Sequence, residues 1–277
     1  MPLPSLSPAI AFRSLPLRTD AALTGSRTPG PRTESPGFAA VLASRRIEKA
    51  AAPAVAAPGR NPALADPDSA YRMMSEINRR SVVYRAERSV MDQLAADVRE
   101  LGSEARALAQ VALSGSDNDL VAAMTRFADH YNAWQGSYGA QMAPGGLLAG
   151  TQAAKVARWE FARSLDNMFH GATAGLRGMR AIGLSVRRGD DSVQLDANVL
   201  RGALARQPDA VRATIRDCAT DFARCADLLN SPKNFIPNRQ DNLSRAVAWI
   251  DANLSSLQAE FGSGDAYRLP SGKAGTT

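Results

Sequence analysis

The sequence predicts a mainly α fold: an elongated antiparallel helical bundle or coiled coil with one small β-hairpin, preceded by a disordered N-terminus. Three observations carry this reading. Apolar residues recur at spacings of three and four over several separate stretches, the period of a helix face turned toward its neighbours. One stretch alone, near 183–196, alternates apolar and polar residues as a half-buried strand pair does. Aromatic residues are 6% of the chain against 45% hydrophobic residues in total, and an alanine-rich, aromatic-poor chain buries surface by stacking helices more readily than by filling a barrel.

Taken in order, residues 1–68 hold eleven of the sixteen prolines and almost no periodic apolar pattern. Such a segment cannot bury enough surface to offset its ordering entropy and is expected to be disordered. Within it Gly37–Ala43 reads as plain linker or as a transient helix with a docking or export role. Residues 69–262 form the expected helical, rod-like domain. From Ser69 to Leu113 there is no proline and only Gly102 interrupts. Tyr71, Met74, Ile77, Tyr84, Met91, Leu94, Val98, Leu101, Ala105 and Leu108 fall on one side of a helix of about 45 residues, roughly 68 Å long. Arg72, Arg79, Arg80, Arg85 and Arg88 make its first half basic, read as a solvated face, with an acidic partner as the alternative.

Ser114-Gly115-Ser116 ends this helix, and Asp117 or Asp119 is expected to cap the next. Leu120, Met124, Phe127, Tyr131, Trp134 and Tyr138 make its apolar stripe, which reads as core. After a Pro/Gly-rich loop at 142–150, a third helix is expected from an N-cap at Thr151 to Arg177, with Val156, Trp159, Phe161, Leu165, Met168 and Phe169 as its apolar residues. His170 falls near the end of that helix, where a cation suits the dipole. The hairpin follows: Gly183–Val186 and Ser192–Leu195 flank a turn, Arg187–Asp191, in which Gly189 can take positive φ. Asp196 is placed to cap a short helix carrying Leu200 and Leu204. Pro208 and Asp209 suit the first turn of the next helix, whose seam is Val211, Ile215, Cys218, Phe222, Cys225 and Leu229. A loop at Ser231–Asn234 with Pro237 leads to the last seam, Leu243, Val247, Ile250, Leu254, Leu257 and Phe261. Gly262 stops it, and 263–277 reads as a flexible tail.

The chemistry-bearing residues are few. Phosphate-binding loops, GxSxG and HExxH are absent from the sequence. There are two histidines: His130 has no second ligand three or four residues away and His170 has no visible catalytic partner, and neither metal nor cofactor is expected. Asp190 and Asp191 sit on an exposed turn, and Arg188-Gly189-Asp190 reads as turn chemistry. Cys218 and Cys225 lie about 10 Å apart on one helix face, too far to bridge, and read as buried apolar residues. Net charge is +6, yet no Lys/Arg block of five occurs, so the charge reads as a solvated surface and no nucleic-acid partner is expected. No stretch of 18 apolar residues predicts a membrane span. An enzyme is not expected.

Function comes from a resemblance. Gly183-Leu184, Gly189-Asp190, Val193-Gln194-Leu195-Asp196, Leu200, Ala203-Leu204 and Pro208-Asp209-Ala210-Val211 follow one another in an order and spacing that resembles the C-terminal region of the bacterial flagellar filament-cap protein, the second hook-associated protein. Upstream, Phe127 with Tyr131-Asn132 resembles a helix of that family, and Gly146, Leu148 and Gly150 resemble the approach to its next helix, where Thr151 stands in place of the family's Asp. The similarity covers about Ser116 to Phe261. It implies a non-enzymatic protein, exported by the flagellar apparatus to the flagellum outside the cell, that packs beside copies of itself and other flagellar axial proteins and supports filament assembly. The family's long β-rich middle section has no counterpart here, its ordered N-terminal segment is replaced by a Pro-rich one, and the C-terminal helix is short. A reduced relative that lost the outward domains, or a protein sharing only the rod, fits those departures. The alternative from another class is a cytoplasmic helical adaptor or export chaperone that binds partner helices.

Overall fold

Asp66 and Pro67 set the start of the first helix. The carboxylate of Asp66 accepts the Ser69 N–H, and proline occupies a first-turn position where no N–H is required. The structure, a computed structural model, describes residues 58–270; the expectations for residues 1–57, including the Gly37–Ala43 segment, and for 271–277 lie outside that range. Helix α1, Pro67–Ser114, buries Met74, Met91, Leu94, Val98, Leu101, Ala105 and Leu108. Tyr71, Ile77 and Tyr84, expected on the same side, are half-buried.

Gly102, which looked like an interruption, is a point of close approach. A Cβ placed there would lie 2.8 Å from the Cβ of Ala226. It faces the alanine-rich side of helix α5, Pro208–Leu229, where Ala219, Ala223 and Ala226 are buried. The α1–α5 pair is the most extensive helix contact, followed by α1 with α6, Phe235–Phe261. Between α1 and α6 the buried Glu87 carboxylate receives both Nε and Nη2 of Arg239 at 2.6 Å.

Helix α2, Asp117–Met142, is capped by Ser116 and not by either aspartate as expected. The Ser116 hydroxyl accepts the Asp119 N–H at 3.2 Å, while the Asp119 carboxylate accepts the Ser116 N–H at 3.1 Å. Three residues separate the two, the spacing of a reciprocal capping box. All six stripe residues of α2 are buried. Helix α3 is Gln152–Leu165, twelve residues shorter at its end than the expected Arg177. The Asn167 side chain accepts the Phe169 N–H, and Gly171, Gly175 and Gly178 take positive φ, so the chain turns through two short 3-10 segments, Ala172–Ala174 and Met179–Ile182. Phe161 and Leu165 are buried as expected, whereas Trp159, Met168 and Phe169 are exposed. Thr151 occupies the N-cap position, but its hydroxyl donates to the Leu148 carbonyl and makes no capping bond.

Strands β1, Leu184–Val186, and β2, Val193–Leu195, pair antiparallel with Leu184 opposite Leu195 and Val186 opposite Val193. Helix α4, Ala197–Arg206, leads into α5. Pro237 lies in the first turn of α6 and not in the preceding loop as expected, a place where helical N–H groups lack partners anyway. Residues 58–66 and 263–265, expected to be disordered and flexible, are held. Asn78 donates to the carbonyls of Ser263 and Asp265 at 2.9 and 2.7 Å, the Asp265 N–H reaches Ser75 Oγ, Gly264 N–H reaches the Gly59 carbonyl, and Asn61 donates to Glu260.

The core is centred where α2, α3 and α5 meet. The rings of Phe161 and Phe222 stack at 4.4 Å, Phe127 meets Phe222 edge-on at 5.0 Å, and Trp134 meets Phe161 edge-on at 5.2 Å, arrangements that suit the aromatic quadrupole. Several arginines in the basic half of α1 meet carboxylates of the same chain: Arg79 and Arg80 share Glu76, Arg85 pairs with Asp251 of α6, and Arg88 lies 3.9 Å from Asp92, while Arg72 donates to the Asp68 carbonyl. Exposed pairs of this kind add little to stability, because water screens them and ordering two long side chains costs entropy.

A helix-clamped hairpin as the candidate functional site

In an antiparallel pair, successive residues turn their N–H and C=O alternately toward the partner strand and away from it. Ser192 and Asp196 bond across to Arg187 and Gly183, so Val193 presents its polar groups outward. Asn132 of α2 meets them. Its Nδ2 donates to the Val193 carbonyl at 2.9 Å and its Oδ1 accepts the Val193 N–H at 2.8 Å. One amide side chain thereby does the work of a third strand at that position.

The turn is held from two further sides. Gln135, one helical turn after Asn132, donates to the Asp190 carbonyl at 3.2 Å, and Arg158 of α3 donates to the Asp191 carboxylate at 2.8 Å. Asp191 itself adopts φ 56°. Asp190 accepts both the N–H and hydroxyl of Ser192, and these bonds hold its carboxyl below the usual carboxylate range. Gly189 has φ 112° with open space around it. At the base of the hairpin Gly183 has φ 94°, and an added Cβ would lie 2.7 Å from the Asp196 carbonyl. The Asp196 carboxylate accepts the N–H groups of Asn198 and Val199 at 2.9 and 3.1 Å, the cap expected from sequence.

The residues that carry the resemblance therefore fall into groups. Asn132, Gly183, Gly189, Asp190 and Asp196 build or clamp the hairpin. Leu184 of β1, Leu200 and Leu204 of α4 and Val211 of α5 are buried, and Leu195 of β2 is half-buried. Phe127 and Tyr131 belong to the aromatic centre. Burial and the nearby Asp191 carboxylate push the Tyr131 hydroxyl well above the usual phenol range, and among the described residues that hydroxyl has no hydrogen-bond partner. Gly146 and Leu148 stand apart. They fold the α2–α3 loop back onto the end of α2, with Leu148 N–H on the Gln141 carbonyl at 2.9 Å and a Cβ at Gly146 falling 2.2 Å from that same oxygen. Gln135 and Arg158 were not identified from sequence. Gln135 sits at helical spacing from Asn132 and could have been found that way; Arg158 carries no such signal.

The remaining polar groups are arranged for structure. Ser164, His170 and Asp221 come together, but Ser164 Oγ donates to Asp221 at 2.8 Å while His170 Nε2 lies 2.9 Å from the Ser164 carbonyl. A base that activates a hydroxyl must sit at that hydroxyl; His170, expected within the helix near its end, lies in the loop beyond Leu165 and ties that loop to the Ser164 carbonyl in the last turn of α3. His130 lies 3.8 Å from Glu104 at the surface, and among the described residues no group of three or more His, Cys, Asp or Glu could hold a metal. Both cysteines are free. Burial pushes the Cys218 thiol far up and the Cys225 thiol up to about 11, which suppresses the reactive thiolate.

Among the described residues no helix is long and apolar enough to cross a membrane. The chain matches no protein-family model, no curated protein and no solved structure. The flagellar resemblance rests on the residues quoted above.

Proposed function

We propose that this is a flagellar hook-associated, filament-cap-like protein that acts without catalysis, packing its helices beside copies of itself and other axial subunits to support filament assembly. The observation that carries the reading is the pair of bonds between Asn132 and Val193. The Phe127–Asn132 and Gly183–Val211 passages resemble the same family independently, and here they close into one structural unit, as linked landmarks of a fold should and as two chance matches need not.

A second observation bears on packing. The first half of α1 lies against the second half of α6, as the Arg85–Asp251 pair and the bonds from Asn78 to the carbonyls just beyond α6 show; after Leu243 only Val247 and Ile250 of α6 are buried, and Leu254, Leu257 and Phe261, like Ile77 and Tyr84, are half-buried. A two-helix seam left half-open favours lateral packing into an elongated coiled coil with neighbouring subunits. The same opening is what a cytoplasmic adaptor or export chaperone would use to hold a partner helix, the second reading. Solution size separates the two: a ring-like oligomer of several subunits supports the cap-like reading, and a monomer or dimer at working concentrations supports the adaptor.

A further inference from the structure

Phe169 is 74% exposed and its neighbour Met168 is 53% exposed, on the loop just beyond the C-terminal end of α3. The backbone under them is held. Asn167 accepts the Phe169 N–H at 3.0 Å, the Phe169 carbonyl accepts the Ala172 N–H at 3.1 Å, and the His170 carbonyl accepts the Gly178 N–H at 2.9 Å. The His170 ring is buried with Nε2 2.9 Å from the Ser164 carbonyl, and the Gly171 N–H reaches the Asp217 carboxylate of α5. The pair is therefore a preorganised apolar knob, and covering it costs little freedom.

A cleft of about 490 Å³ lies at the other end of the same helix. Leu147 and Ala149 of the α2–α3 loop, Ala153 of α3 and Phe235 of α6 are its apolar lining, and Phe235 is 45% exposed. The volume falls within the roughly 300–1,000 Å³ of cavities that enclose small ligands, ample for an aromatic side chain and part of the loop that carries it. The one carboxylate of the lining, Glu87, is already held by Arg239. Asn238 uses its Nδ2 on the Lys233 carbonyl and Asn242 its Oδ1 on Arg245. Asn238 Oδ1 and Asn242 Nδ2 are left as an acceptor and a donor for the backbone of an entering loop. Helix α3 runs from Gln152, which lines the cleft, to Leu165, about 20 Å at 1.5 Å per residue. A chain's own knob lies beyond the far end of that span and does not fill its own cleft.

We propose that the Met168–Phe169 knob of one copy seats in the Leu147, Ala149 and Phe235 cleft of the next, joining copies of this chain head to tail through opposite ends of α3. An apolar patch and a pocket on different parts of one molecule make a heterologous contact, which repeats from copy to copy and ends in a ring or an open chain. A second copy supplies both halves, so one contact covers two exposed apolar features. Phe169 meets the open ring of Phe235 in the edge-on or offset geometry that aromatic pairs prefer, and the flexible Met168 side chain fills the space beside it. Charge does not oppose the contact. Arg177 precedes Gly178, whose added Cβ would lie 3.0 Å from Met168 Cα, and Arg180 lies 3.6 Å from Asp166. At the cleft and its edge, Glu87 and Asp241 balance Arg239 and Arg245. The inference deepens the proposed packing of copies by naming the surfaces that meet, and it rests on that part of the reading alone.

The test is sedimentation velocity of the full chain over a concentration series, with two variants that each remove one half of the contact. Phe169→Ser loses the knob and keeps the cleft, whereas Ala149→Trp keeps the knob and fills the cleft. The unaltered chain is expected to associate beyond the dimer as concentration rises. Each variant alone is expected to associate about tenfold or more weakly, the scale of a hot-spot truncation. An equimolar mixture of the two is expected to recover association and to stop at the heterodimer, because the intact cleft of one receives the intact knob of the other and no second usable end remains. Trp249→Ala, which removes an exposed tryptophan outside the lining of the cleft, is expected to leave association unchanged. Phe169 and Ala149 are exposed, so unchanged circular dichroism shows that their variants fold. A chain that stays monomeric at the highest attainable concentration, association that ends at the dimer, a mixture no better than its components, or an equal loss in Trp249→Ala overturns the proposal. So do oligomers that persist in both variants, a result that keeps copies packing through other surfaces and removes this contact alone.

Discussion

Asn132 holds two backbone groups with one side chain, and the chemistry of its amide matters as much as its size. Asn132→Ala leaves the outward N–H and C=O of Val193 without their partners, at a cost of about 1–3 kcal/mol in urea unfolding. Asn132→Asp is isosteric, yet it sets a carboxylate oxygen where Nδ2 had donated to the Val193 carbonyl, so it is expected to destabilise more than alanine does near neutral pH. Equal stability of the two variants would show that the side chain is not making the paired bonds. The thiols give a second prediction at this scale. Cys225 is pushed up to about 11 and Cys218 further, against about 8.5 in an unfolded chain. The folded state therefore keeps protons that the unfolded state releases. The thiols' contribution to stability is fully present below about pH 8.5 and is lost as pH rises through 9 toward 11. Native protein at pH 8 is expected to react slowly with Ellman's reagent and denatured protein quickly, and Cys225→Ala is expected to reduce the alkaline loss of stability.

Between elements, the tightest constraint is the approach of α1 to α5. A Cβ on Gly102 would lie 2.8 Å from that of Ala226, well inside the 3.5–4.0 Å at which carbon atoms attract. Replacing glycine by alanine within a helix ordinarily gains about 1 kcal/mol. Here overpacking of about 1–3 kcal/mol opposes it, and Gly102→Ala is expected to lower the melting temperature. Ala226→Gly in the same chain is expected to recover most of that loss, giving a coupling that a double-mutant cycle reads directly. Simple additivity of the two changes would contradict the close approach. This pair also illustrates what the sequence makes legible. The apolar stripe of α2, most of the seam of α5, the Asp196 cap and the hairpin follow from local period and local hydrogen bonding and are present as expected, whereas the last seam is buried only as far as Ile250, with Leu254, Leu257 and Phe261 partly exposed. The end of α3 was misplaced because the apolar pattern continues through Met168 and Phe169 while backbone constraints at Asn167, Gly171 and Gly178 end the helix earlier. Gly102 reads locally as a flaw, since its reason lies 124 residues away in Ala226. The Asn132 clamp joins residues 61 apart, so the two passages could be recognised separately but their bonding could not be read from either one.

At the scale of the whole molecule, a polar-clamped hairpin sits on an aromatic core, a close-packed α1–α5 pair runs past it, and the α1–α6 seam and the Met168–Phe169 loop keep apolar groups at the exterior. Its perturbed titrating groups include Tyr131, Cys218 and Cys225, shifted by burial, and Asp190, held by hydrogen bonds within the fold. The proposal that those surfaces serve a flagellum makes a demand on where the protein is found. The most direct measurement follows the full chain, by antibody, through a flagellated and export-competent strain and the same strain with flagellar export disabled. The cap-like reading expects the protein in sheared filaments and culture supernatant of the first and its retention in the cells of the second. Retention in the cells of both strains would contradict it and leave the adaptor reading.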